Sequence, residues 1–317
     1  MQFCLALLFT LAASGAADGD ALLSPACKKL NQETFNLVAQ GQSDQAQNIL
    51  ATALATADAV DHVCAGLTMN NIAALLLTAG RFADAGQMAR RSVRALAESC
   101  PPDDPLLLRP LHILAASQFA EGKIARAFEA LKSMEAIRTS RPVDLALVNS
   151  LAASIAGAEG RWPEAQARYV AAIGYLKEAG RGETADAGAL FNGLGAIYIE
   201  QDHVVEAREA LDRAVEIFER APDTTPWDRV KVLRTRAALY ERQRGWRQAE
   251  LDFATALCIA DRESRVEAAA LRPLLVTLSA GDKLGRNEIL AFIGAGGMGV
   301  RNHLPGCGAG GRSAGLV

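Results

Sequence analysis

A short motif returns along this chain at nearly constant intervals, and that recurrence restricts the fold more than any single residue does. Gly80-Arg81-Phe82-Ala83-Asp84-Ala85 reappears as Gly160-Arg161-Trp162-Pro163-Glu164-Ala165, and Gly245-Trp246-Arg247-Gln248-Ala249 is a close variant. Weaker copies end at Ala46, Ala127 and Ala207. Aligned on that final alanine, the six copies lie 39, 42, 38, 42 and 42 residues apart.

The aligned columns have a physical sense. Twelve residues before the anchor stand Thr34, Ala73, Ala115, Ala153, Gly195 and Ala237; seven after it stand Ala53, Ser92, Met134, Ala172, Ala214 and Ala256. Small residues at fixed positions let two helices approach closely. Three before the anchor come Ser43, Phe82, Ile124, Trp162, Val204 and Trp246, and four after it Leu50, Ala89, Leu131, Tyr169, Leu211 and Phe253. These are mostly bulky, as knobs beside the small positions must be. Apolar spacing on either side follows a 3.6-residue period. Gly80, Gly122 and Gly160 suit the break between two helices, because glycine accepts positive φ. Each unit therefore reads as helix, short turn, helix. Half of the residues are hydrophobic and only 5% aromatic, which fits Ala- and Leu-rich helices and not a sandwich or barrel. An unrelated helical bundle is the competing architecture.

Leu194-Gly195-Ala196-Ile197-Tyr198 through Ala207, Leu211 and Ala214 resembles the tetratricopeptide repeat (TPR). So does Ala237-Ala238-Leu239-Tyr240 through Ala249, Phe253 and Ala256. The period, longer than the usual 34 residues, resembles the kinesin-light-chain type. Repeats one and three depart most from the pattern. The resemblance covers residues 27–262. It implies an all-α solenoid of about six helix pairs, wound as a right-handed superhelix whose first helices line a concave, partner-binding face. Residues 263–280 would add a capping helix over the last repeat. Asp103-Asp104-Pro105 and Pro222-Asp223-Thr224-Thr225-Pro226 read as turns between repeats.

The expected function is a non-catalytic scaffold that binds a peptide or a partner protein. One column, fifteen residues before the anchor, is polar throughout: Asn31, Asn70, His112, Ser150, Asn192 and Arg234. It is either a ladder of donors and acceptors for a bound peptide, or a set of side chains that bond neighbouring repeats or face water. Arg234, with Lys231 and Arg242, would favour an acidic partner or is simply an exposed basic strip. A net charge of −3 with mixed signs points away from nucleic acid. No catalytic constellation, metal site or cofactor motif stands complete; Cys27, His62 and Cys64 lack a fourth metal ligand. Cys27 and Cys64 fall near the starts of the first helices of repeats one and two, and form a candidate disulfide.

The two ends differ from the repeats. Residues 1–17 pair an apolar run with small residues at Ala13 to Ala17, the pattern of a secretory signal peptide, although Met1-Gln2 lacks a basic residue. The expected location is extracytoplasmic in a bacterium, periplasmic or secreted, without a stable membrane anchor. If the run is instead a first helix, the protein is cytoplasmic. Residues 281–317 form an irregular, Gly-rich tail, expected to be disordered. Within it, Ile289-Leu290 leads to Gly294, Gly296 and Gly299. This resembles the first strand and glycine-rich loop of bacterial serine/threonine kinases over about sixteen residues. The lysine and aspartates of that family are missing after the loop, so the loop reads as vestigial, or as the edge of a disrupted reading frame. The alternative function is accordingly a truncated regulatory protein of a TPR-linked kinase.

Overall fold

The computed structural model describes residues 25–39, 45, 48–50, 62–78 and 80–263. Among them eleven α-helices are delimited. They are α1 (Pro25–Ala39), α2 (His62–Thr78), α3 (Phe82–Ala97), α4 (Leu108–Ala120), α5 (Ile124–Ala136) and α6 (Pro142–Ala158). There follow α7 (Trp162–Glu178), α8 (Ala185–Glu200), α9 (Val204–Arg220), α10 (Pro226–Arg242) and α11 (Trp246–Glu263). A 3-10 turn, Pro105–Leu107, leads into α4. No strand occurs among the described residues. The candidate signal-peptide segment, the glycine-rich segment and residues 264–280 of the expected cap lie outside them.

Helices pack in consecutive pairs: α2 with α3, α4 with α5, α6 with α7, α8 with α9, α10 with α11. This is the all-α, helix-turn-helix arrangement of a TPR solenoid. The chain divides into two compact units, one running to Gly182 and one starting at Glu183. In the first unit the first helices of successive pairs, α2, α4 and α6, pack on each other in order; in the second, α8 packs on α10.

Small residues set the approach within each pair. In repeats two to six the anchor alanines Ala85, Ala127, Ala165, Ala207 and Ala249 are 0% exposed, as are Ala73, Ala115, Ala153 and Ala237 twelve residues earlier. That confirms the register of every one of these repeats, including the atypical third. At Gly195 even a methyl group would stand 2.7 Å from Leu211 Cγ on α9, a contact that no real side chain tolerates. Gly188, seven residues earlier, meets Phe218 of α9 in the same way. The bulky residues three before the anchor are the first residues of the second helices: Phe82, Ile124, Trp162, Val204 and Trp246.

The turn inside each repeat is one device used five times. The residue five before the anchor has positive φ: Gly80, Gly122, Gly160, Asp202 and Arg244. Its N–H and that of the next residue cross back to helix carbonyls, as in Arg161 N to Ala156 O at 2.9 Å and His203 N to Tyr198 O at 2.9 Å. This is the double crossing of a Schellman cap, which satisfies carbonyls the helix leaves open. Repeats five and six make it with side chains that carry a Cβ, at φ 60° and 59°.

Between repeats the caps are polar. Asp104 accepts from Leu106 N at 2.8 Å. Thr225 and Asp228 form a reciprocal capping box at the start of α10. Asp223, in the turn before α10, accepts from Ala185 N at 3.1 Å and so caps α8 from the next repeat. Both expected inter-repeat turns are thus places where a carboxylate or hydroxyl closes a helix start. The second unit is further tied by Arg236 of α10, which meets Asp252 of α11 through two bonds of 2.8 Å and Asp212 of α9 at 3.1 Å. Burial opposes the charge on Arg236, but Asp252 outweighs that and raises its pKa.

Two outcomes are expected in denaturant unfolding. Asp202→Gly and Arg244→Gly each raise stability by about 0.5–1 kcal/mol, because glycine removes the Cβ clash of the left-handed conformation. Asp252→Ala lowers it by about 3 kcal/mol, since it strands a largely buried guanidinium.

Candidate functional site

The polar column fifteen residues before the anchor falls on the first helices: Asn70 on α2, His112 on α4 and Ser150 on α6 in the first unit, Asn192 on α8 and Arg234 on α10 in the second. The side chain of Asn31, on α1, lies outside the described residues. Asn70, His112, Ser150 and Asn192 are between 1% and 3% exposed, so these four do not face water. Three of them do not bond neighbouring repeats either. Asn70 Oδ1, Asn192 Oδ1 and both ring nitrogens of His112 have no hydrogen-bond partner. Asn70 Nδ2 reaches only its neighbour, Asn71 Oδ1, at 3.5 Å, the outer limit of such a contact. Ser150 alone is satisfied locally, donating to Leu147 O at 2.8 Å. A buried polar atom without a partner costs about 1–3 kcal/mol, and the column repeats that cost in repeats two, three and five.

Helix geometry explains the burial. Gly188 and Gly195 point at α9, and Asn192, four residues after Gly188, stands roughly 40° around α8 from that face at about 100° per residue. Positions eighteen and eleven before the anchor are seven residues apart and share another face, some 40–60° further round. Several of these are only half-buried: Leu67 and Ala74 on α2, Arg109 on α4, Lys231 and Ala238 on α10. In repeats two, three and six an open surface therefore lies beside the buried column, its floor, whereas in repeat four Leu147 and Ser154 hold both positions and are buried. Sequence reasoning found the floor through its uniform polarity. Of the open positions it singled out only Lys231, because Leu, Ala, Arg and Lys share no chemical type; their seven-residue spacing was the signal.

His112 is the one buried titratable group in the column. Burial first, and Arg109 beside it second, lower its pKa from 6.5 to about 4, so the ring is neutral at pH 7. In the second unit the basic residues are less alike than the sequence suggests. Lys231 Nζ lies 3.5 Å from Asp228. Arg242 bonds the Ile199 carbonyl and, at 3.2 Å, Glu200. Arg234 is half-buried, and no ion pair holds it among the described residues.

Cys64 is disulfide-bonded, which also withdraws it as a metal ligand; the side chain of Cys27 lies outside the described residues. Cys258, on α11, is disulfide-bonded too, a state the sequence reading did not assign. Cys100 is a free, buried thiol, its pKa raised by burial and then by Asp104. No group of three or more His, Cys, Asp or Glu side chains able to hold a metal occurs among the described residues. No described helix is long and apolar enough to cross a membrane.

No family model and no curated protein matches the chain. Solved structures similar to it are TPR proteins, kinesin-light-chain-like ones among them. A putative kinesin light chain of Podosopora anserina with nearly identical TPR-like repeats is 22% identical with a TM-score of 0.46, covering 61% of this chain and 94% of its own. BtubC (BKLC) of P. vanneervenii is 18% identical with a TM-score of 0.48, covering 78% of this chain and 92% of its own. A tetratricopeptide repeat protein of Parabacteroides merdae is 14% identical with a TM-score of 0.42, covering 81% of this chain and 100% of its own.

Proposed function

We propose that the chain is a non-catalytic scaffold that binds a peptide or a partner protein along the open surface of its first helices. The observation that carries this reading is a set of unsatisfied polar atoms on the first helices: Asn70 Oδ1 and the His112 ring in the first unit and, separately, Asn192 Oδ1 in the second. Folding leaves these atoms without partners and without exposed surface; a ligand backbone carries the donors and acceptors they lack and meets them once the side chains turn toward the open face. Half-buried Leu67 and Ala74 beside the floor supply apolar contact, and Arg109, Lys231 and Arg234 favour a ligand with acidic side chains or a free carboxylate. Among the described residues no group able to hold a metal stands with these side chains, and binding without turnover is the reading offered.

The proposed location is extracytoplasmic. Two disulfide-bonded cysteines, Cys64 and Cys258, suit an oxidising compartment, as does the leader-like pattern of residues 1–17.

Two experiments test these readings. A peptide selected from a random library on the purified full chain should bind Asn70→Ala/Asn192→Ala at least tenfold more weakly, by titration calorimetry; equal affinity removes the column from the site. Intact mass of the native protein from separated cell fractions should show an extracytoplasmic species lacking its first sixteen or seventeen residues. A full-length cytosolic species would overturn secretion.

A further inference from the structure

His112 is held where a proton has no place to be shared. The ring is 1% exposed, neither nitrogen meets an acceptor or donor, and it sits on α4, the middle first helix of the first unit. α2, α3, α5, α6 and the 3-10 turn all pack against α4. The charge they offer the ring is small. α2 has no Asp, Glu, Lys or Arg; its titratable groups are exposed His62 and disulfide-bonded Cys64. On α3, Asp84, Arg90, Arg91 and Arg94 are exposed, as are Arg126, Glu129, Lys132 and Glu135 on α5. α6 contributes one carboxylate, Asp144, already engaged by Thr139 Oγ1 at 2.9 Å and Arg141 Nε at 3.5 Å. At the 3-10 turn Asp104 is committed to Leu106 N. On α4 itself the charged neighbour is Arg109, of the same sign as a protonated ring.

We infer that His112 is an acid trigger for the first unit: a proton on its ring loosens the packing of α4 against the helices around it. The ring cannot keep a buried charge that lacks a counterion and a hydrogen-bond acceptor, so the charged form exists only where water reaches it. The sign follows from linkage. The folded ring takes up a proton near pH 4 and the exposed ring near 6.5, so the closed form is fully favoured above pH 6.5 and loses ground as pH falls from there toward 4. At pH 5 the exposed form gains about 20-fold over its weight at pH 7. The opening itself does not depend on the binding reading. Its consequence does: α2 and α4 together carry the open surface and the floor beneath it, so a ligand held there is released on acidification.

Hydrogen exchange of the full chain, corrected for the pH dependence of intrinsic rates, reads the opening without a ligand. Amides of residues 108–120 should show an opening constant about 30-fold larger at pH 5 than at pH 7.5, and His112→Gln should abolish most of that rise. An equal rise in the variant overturns the trigger. If the variant does not fold, the ring protons of His112 in the wild-type chain decide by NMR titration: a midpoint well below 5.5 supports the buried neutral ring, and one near 6.5 refutes it. Affinity for the library-selected peptide is then compared at pH 7.5 and pH 5. Absence of any selectable peptide counts against the binding reading alone, whereas flat exchange counts against the trigger alone.

Discussion

Close contact between small residues is the constraint on which the rest of this structure depends. The anchor alanine and the small residue twelve before it let each second helix lie directly on its partner, with no exposed area left at either position in repeats two to six. A pair brought that close holds its bulky side chains beside the contact. Leu131, Leu211 and Phe253 are buried there, and Tyr169 is buried with its hydroxyl 3.0 Å from Ser154 Oγ. One pair cannot bury both of its faces, so the next pair must cover the remainder. Repetition in the sequence and stacking in the fold have the same physical cause.

That cause also decides what the sequence could reveal. Contacts that admit only Ala, Gly or Ser leave a compositional mark, and the columns built on them predicted the helix pairs and their register. The turns were legible only in part. Glycine announces a left-handed cap at residues 80, 122 and 160, but Asp202 and Arg244 occupy the same conformation with nothing in their chemistry to advertise it. The carboxylates Asp144, Asp186 and Asp228 stand twenty-one residues before the anchor in repeats four to six. They are buried in the first turns of α6, α8 and α10, where the N-terminal partial charge of a helix favours an anion. A buried aspartate and an exposed one look alike in a sequence, and only the backbone around them tells them apart.

The uniform polarity of the column was legible in the sequence, but its burial was not. Uniform polarity singled out the column containing Asn70, His112, Ser150, Asn192 and Arg234, yet a 3.6-residue period resolves a helix face only to within a turn. A polar column on the open surface and one on the adjoining flank give the same pattern. The structure puts four of its members on the flank, buried, and three of those keep unsatisfied atoms. Satisfaction is a property of neighbours from other repeats, so no reading of one helix could supply it.

The same burial changes what these residues contribute. On an open face, an asparagine or histidine exchanges water for a ligand at little net gain. Beneath the face, its desolvation has already been incurred in folding, so a ligand group that reaches it recovers that cost. For a neutral asparagine this is a fixed bias toward binding. For His112 the same low-dielectric surroundings make the bias depend on protons, because the charged ring finds neither carboxylate nor carbonyl to receive it. On the proposed binding reading, the one buried titratable member of the column is thus also the one whose stability there is most sensitive to acid.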